Sequence, residues 1–285
     1  METRSPDGHY PNGHFYSPVI DRAEVEASSA RIWPAQPKVL GMDFSPHAQR
    51  TLLRDVFPKY IPDYDYPVTL AEGADPHAFF DRNPAFAWLD SRALFVLLRH
   101  WRPRSVIEVG SGYSTLLMAD VNRRFLDGAA TIRCIEPYPP PFLATLPGGI
   151  AELLPTRVQD VPLGVFEQLQ AGDVLFIDSS HVSKTGSDVN HLVFEVLPRL
   201  ARGVHVHFHD IFLPFDYPRE WVLDLGLYWN EQYVLRALLT HSAGFRVTFG
   251  STYASVACAD DVVRALSLSP GSIYGGGSFW IEKTV

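Results

Sequence analysis

The chain has 285 residues, 46% of them hydrophobic and 20% charged, a balance that supports a large buried core and excludes disorder throughout. Its formal charge of -8 at pH 7, with no run of Lys or Arg, excludes a surface that tracks a phosphate backbone, so nucleic acid is not expected as a partner. No apolar run approaches the roughly 18 residues that span a bilayer, and the only cysteines, Cys134 and Cys258, offer no disulfide framework, so a cytoplasmic protein independent of membranes is expected.

Residues 1–85 are rich in proline and aromatics, with breakers in SPDGHYPNGHFYSP, WPAQP, FPKYIPDYDYP and GADPHAFF. Such a segment predicts a wrapping extension with short helices, read here as a lid that contributes to the substrate pocket. From Pro84 the pattern changes: AFAWLDSRALFVLLRHW carries apolar residues at helical spacing and stops before Pro103. A regular domain is expected over residues 86–285. Within it, SVIEV (105–109), TIRCIE (131–136), VLFID (174–178) and VHVHFH (204–209) read as strands. STLLMADVNRRF, VFEQLQ and SDVNHLVFEVLPRL between them read as helices, and this alternation specifies an α/β fold with a mostly parallel sheet covered on both faces. One more helix, NEQYVLRALLTH, and two strands, FRVTFG and SFWIEK, close the expected order.

The stretch VIEVGSGYST, residues 106–115, stands at a strand-to-helix junction. Gly110 and Gly112 permit a tight turn and close backbone approach, and the next helix offers free N–H groups to a small polar ligand. A dinucleotide fingerprint would carry a third glycine where this chain has Thr115, which disfavours a pyrophosphate. Glu136 ends the second strand with its carboxylate over the same crevice, placed to accept hydrogen bonds from both hydroxyls of a ribose. Glu108 lies inside the first strand, where a carboxylate needs a partner, and a ligand ammonium is a natural one.

Glycines, an in-strand acid and a ribose acid together resemble the first motif of the class I S-adenosylmethionine-dependent methyltransferases, over a stretch running from about Arg102 to the C-terminus. The resemblance implies a Rossmann-like, seven-stranded sheet with the methyl donor across the carboxyl ends of the first strands. It also implies that Gly110, Ser111 and Gly112 pass close to S-adenosylmethionine, that Glu136 holds its ribose, and that Asp160 lies near the adenine.

VHVHFHDIF sets His205, His207 and His209 at alternate positions, so the three imidazoles share one face of a strand while Val204, Val206 and Phe208 take the other. His205 and His207, deeper in the strand, are expected to be packed, hydrogen-bonded core residues. In a parallel sheet His209 and Asp210 emerge beside Asp178, with His181 three positions beyond it in a loop. One imidazole and two carboxylates from neighbouring strand ends suit a divalent cation with positions open for substrate oxygens or water. The set Asp178, His209 and Asp210 resembles the metal site of the metal-dependent small-molecule O-methyltransferases of the catechol and antibiotic-sugar types. In that resemblance His181 takes the place of the general base. His209 departs from the usual oxygen ligand, which either favours iron, manganese or zinc over magnesium or leaves the site without a metal.

Aromatic-rich stretches supply Tyr16, Tyr217, Trp221 and Trp229 as candidate pocket residues. The expectation is therefore an S-adenosylmethionine-dependent O-methyltransferase acting on a small-molecule hydroxyl, glycosyl or phenolic, of a natural product. Metal-free transfer to nitrogen or carbon, a nicotinamide oxidoreductase and a non-catalytic donor-binding module stay open as alternatives, as does a homo-oligomeric assembly.

Overall fold

Seven short strands pair into one sheet in a computed structural model that describes residues 8–272 and 274–285. The first seven residues of the turn-rich N-terminal run, and Ile273, lie outside the described residues. The strands are β1 (Ser105–Val109), β2 (Thr131–Ile135), β3 (Glu152–Leu154), β4 (Val174–Ile177), β5 (His205–Phe208), β6 (Phe245–Gly250) and β7 (Phe279–Lys283). Their order across the sheet is β3-β2-β1-β4-β5-β7-β6, with β1 to β5 parallel and β7 antiparallel to both β5 and β6. This is the expected seven-stranded, mostly parallel architecture, with helices on both faces.

Each face has its own core. Val106, Cys134, Val174 and Phe176 face the helices Trp88–Trp101 and Tyr113–Phe125, while Ile107, Ile135, Leu175, Ile177, Val206 and Phe208 face the chain over 158–200 and the helix Glu231–Leu239. Two-sided burial explains why β1 and β4 read as continuous apolar runs. The histidines of β5 share the first face, as their alternation requires: His205 stacks on Trp101 at 3.7 Å between ring centroids and His207 on Phe176 at 3.8 Å. His207 Nε2 also meets Ser278 Oγ at 2.9 Å, so both deeper histidines are packed core residues.

The N-terminal segment carries the expected short helices, Arg22–Ala27, Ser29–Ile32 and a helical run from Pro46 to Tyr60 with a π-helical turn at Leu52–Val56. It also supplies Leu53, Phe57 and Phe79 to the first core, each at most 2% exposed. Three local expectations need correction. VFEQLQ lies in a 3-10 run, Leu163–Gln168, and Pro198 breaks the last turn of the helix begun at Asp188. β3 and the helices Ser251–Ala257 and Ala259–Ala265 were not foreseen, because a three-residue edge strand and a Ser/Thr/Val/Cys-rich stretch give no clean period. Among the described residues no helix is long and apolar enough to cross a membrane.

The topology places the site. From β1 the chain builds outward to β2 and β3, then crosses back to β4 and β5 on the other side, so a crevice opens at the carboxyl ends of β1 and β4.

Candidate active site

Gly110 and Asp178 leave β1 and β4 side by side at this crevice, with Asp178 N donating to Val109 O at 2.8 Å. Gly110 has φ +85, and a Cβ there would overlap the Asp178 carbonyl, so only glycine lets the two strand ends approach. A cavity of about 420 Å³ opens over them, lined by Gly110, Glu136, Tyr138, Val158, Gln159 and Asp178 among others. That volume suits a nucleoside-sized ligand. The Glu136 carboxylate is held in the wall by Ser111 N at 3.2 Å and Tyr138 N at 2.7 Å.

Beside the cavity, and sharing Asp178 with it, lies a cluster of acids and imidazoles. His181 Nε2 is 3.4 Å from both Asp178 Oδ1 and Asp210 Oδ2, and His209 Nδ1 is 3.5 Å from Asp178 Oδ1 and Asp210 Oδ1. Behind them stand two more carboxylates: Glu231 Oε2, 3.0 Å from His181 Nδ1, and Asp90 Oδ2, 3.5 Å from His209 Nε2. The strand ends thus bring Asp178, His209 and Asp210 together as the parallel sheet required. One ligand atom from each of Asp178, His181 and Asp210 falls within 4.8 Å of the others, so His181 converges on the carboxylate pair as closely as the expected ligand His209. His181 and Asp210 both hold left-handed backbone, φ 60 and φ 55. Non-glycine residues keep that conformation at a cost of about 1–2 kcal/mol each only where the surroundings impose it.

The electrostatics follow from this crowding. Burial alone would lower the His181 pKa, but hydrogen bonding and charge from Asp178 and Glu231 outweigh it and raise the value to about 10. His209 is likewise held well above the imidazole range, its burial outweighed by Asp178 and Asp210. Burial pushes Asp178 upward, but the two histidines outweigh it and hold the carboxyl below the usual carboxylate range. Four carboxylates surround two imidazoles, so acids outnumber bases in the cluster.

Asp90 and Glu231 gave no sequence signal. Each stands in the first turn of an amphipathic helix, where an acid ordinarily faces water and complements the helix dipole. Here both are buried. Asp90 is drawn in by Gly277 N and Ser278 N, each donating at 2.8 Å, across a glycine run in which a Cβ on Gly276 would overlap its carboxylate.

Residues 107–211 match the family described as "Methyltransferase domain", a span that runs from β1 through β5 and includes both walls of the crevice. A protein from Archaeoglobus fulgidus, itself uncharacterized, is 36% identical over 168 residues, covering 56% of this chain and 74% of its own length. The chain carries a methyltransferase domain over residues 107–211. Among solved structures similar to this methyltransferase are the O-methyltransferase TomG from Streptomyces achromogenes, involved in tomaymycin synthesis, at 13% identity and TM-score 0.42 over 93% of this chain and 97% of that one. Another is an O-methyltransferase from Bacillus cereus, at 14% identity and TM-score 0.37 over 92% and 97%.

S-adenosylmethionine is the donor of such an enzyme, and the residues at the methyltransferase's crevice fit it. Among the described residues Ser111 Oγ is buried without a hydrogen-bond partner and a Cβ built on Gly112 would meet nothing within 4 Å, so the β1 turn offers a polar atom and open space. Glu136 lines the cavity as expected. Glu108 is corrected: Ser114 Oγ at 2.7 Å, Thr115 Oγ1 at 2.6 Å and Cys134 Sγ at 3.2 Å all donate to its carboxylate, so its partners come from the protein rather than from a ligand ammonium. Asp160 ends the short turn Val158–Asp160 with its carboxylate on Arg157 at 2.9 Å, next to Val158 and Gln159 of the cavity wall.

The aromatic candidates divide. Trp229 lies against the His181 ring at 4.3 Å and so borders the cluster, while Trp221 stands behind it, 5.3 Å from Trp229. Tyr217 is 1% exposed and its hydroxyl accepts from Gln232 N at 2.9 Å, which makes it a structural residue. Tyr16 is exposed and packs with Tyr10, His14 and Phe15 of its own segment.

Proposed function

We propose that the enzyme transfers the methyl group of S-adenosylmethionine to a hydroxyl of a small molecule, of the glycosyl or phenolic type found in natural products. The observation that carries this reading is the buried cluster of His181, Asp178 and Asp210 at the edge of the donor cavity, because oxygen acceptors need a proton removed and nearby charge control. Gly110, Ser111, Gly112 and Glu136 bind and orient the donor. Trp229, backed by Trp221, borders the acceptor and excludes water from it. His181 Nε2 accepts the hydroxyl proton as the oxygen–carbon bond forms and the sulfur–carbon bond breaks, which leaves S-adenosylhomocysteine, the methyl ether and a protonated imidazole.

Asp178, Asp210 and His209 would hold a divalent cation, and the excess of carboxylates over imidazoles in the cluster suits one. Such a cation lowers the pKa of an acceptor hydroxyl, and a nitrogen ligand favours iron, manganese or zinc over magnesium. The surrounding carboxylates raise the His181 pKa, and a cation among them would offset part of that charge and favour the neutral ring that acts as base. A second reading rests on the convergence of His181 with the carboxylate pair, which makes His181 the nitrogen ligand itself.

Mass spectrometry of reactions with a library of hydroxylated metabolites tests the function, a gain of one methylene mass on an alcohol or phenol being the expected result and gain on an amine or carbon the contrary one. His181→Ala should lower turnover by about two to four orders of magnitude with donor affinity retained. Elemental analysis of the same variant separates its two roles, because a base leaves metal content unchanged and a ligand takes the metal with it.

A further inference from the structure

We propose that Glu231 is the positioning residue of this site, holding the Nδ1 edge of the His181 ring so that Nε2 faces Asp178 and Asp210. It rests on the reading that His181 works at the reacting hydroxyl, and as base or as ligand the ring must present Nε2 to the crevice.

Glu231 opens the helix Glu231–Leu239 and lies 50 positions beyond His181 in the chain. A first-turn carboxylate ordinarily stands in water, yet this one is 1% exposed. Burial of a carboxylate is costly unless a donor meets it. Oε2 meets His181 Nδ1 at 3.0 Å, while Oε1 is buried with no partner among the described residues, so among these the imidazole is the contact that compensates the buried acid. A carboxylate only accepts, which places a proton on Nδ1 and turns the other ring nitrogen to the crevice, 3.4 Å from each aspartate.

The same short segment holds the rest of the residue. Trp229 lies over the ring at 4.3 Å, and the N–H groups of Asn230 and Glu231 donate to the His181 carbonyl at 3.0 and 3.1 Å. Those two bonds secure the left-handed backbone, φ 60, that carries the side chain. Trp229, Asn230 and Glu231 therefore hold one histidine at its ring face, its carbonyl and its Nδ1. A ring freed from the acid could turn about its side-chain bond and lose the aim of Nε2, and small losses of aim at a reacting group are expensive in rate.

The test follows the His181 Nδ1 proton by nitrogen-15-edited proton NMR in the full chain, with S-adenosylhomocysteine affinity by calorimetry and methyl transfer measured on the same samples. Wild type should show a solvent-protected Nδ1 proton. Glu231→Gln should keep it at a shifted frequency with turnover within roughly threefold, since an amide oxygen still accepts. Glu231→Ala should lose the protected proton and about 10- to 100-fold in kcat while donor affinity stays within about twofold. If the alanine protein does not fold, Glu231→Leu, which fills the same buried space, takes its place. A protected proton and kcat both unchanged on removing the carboxylate would overturn the proposal, as would a loss of donor affinity in step with kcat. Should wild type transfer no methyl to any hydroxyl offered, the resonance still reports on the Glu231 contact, so failure of the functional reading is told apart from failure of this one.

Discussion

Two glutamates one strand apart illustrate how surroundings assign a residue its work. Glu108, fully buried, is met by three side-chain donors, and burial still pushes its pKa up to about 7 against their pull. It ties β1 to the helix Tyr113–Phe125 and to Cys134 of β2. Glu136 takes only two backbone N–H groups, from Ser111 and Tyr138, and faces the cavity. A carboxylate has about four acceptor positions, so two remain for ribose hydroxyls. Glu136→Ala should accordingly weaken S-adenosylhomocysteine binding by about 1.5–3 kcal/mol, measured by calorimetric titration. An unchanged Kd would remove Glu136 from the donor site.

At the scale of the element, β5 and the residue that follows it carry three histidines on one face in two opposite electrostatic states. Burial holds His205 down to about 4 and His207 well below the imidazole range, whereas the carboxylates at the strand end hold His209 far above it. The sign matters for stability. Below pH 6.5 an unfolded chain protonates His205 while the folded strand resists, so its contribution is present above that pH and is lost as pH falls toward 4. The loss over this window is of order 3 kcal/mol for the single group. His205→Phe keeps the stack on Trp101 without the titration, and its urea midpoint should fall less than that of wild type between pH 6.5 and 4. Equal acid sensitivity in the two proteins would place the effect elsewhere.

Across the whole molecule, the N-terminal segment is part of the fold's interior as well as a candidate lid. Leu53, Phe57 and Phe79 pack into the same core as Leu94 and Phe95 of the helix Trp88–Trp101. Burying side chains of this size contributes about 1.5–3 kcal/mol each, a sum comparable to the net stability of a domain. Deleting residues 1–85 should therefore abolish cooperative unfolding. Deleting residues 1–20, where Phe15 and Tyr16 stand exposed, should leave it intact, with the melting temperature still raised by S-adenosylhomocysteine. Calorimetric scans of the two truncations with and without this ligand decide the matter, and a folded protein lacking residues 1–85 would show the segment to be dispensable.

The alternation of strands such as SVIEV, VLFID and VHVHFHD with helices was enough to specify parallel strands, and parallel strands place Gly110, Asp178, His209 and Asp210 at one edge of the sheet, because strand polarity alone decides which end a residue leaves. Alternation likewise put His205 and His207 on a packed face. What sequence could not decide is which side chains from distant helices reach that edge. Asp90 and Glu231 look like solvent-facing first-turn acids, and only the packing of the helices Trp88–Trp101 and Glu231–Leu239 against β5 and the loop after β4 drives them inward onto His209 and His181. The fate of Glu108 turned on the same kind of fact, since its three donors come from the next helix and the next strand. Local pattern determines face and polarity, which depend on chain geometry; partnership of buried charges depends on which elements meet, and that exists only once the sheet and its helices have packed.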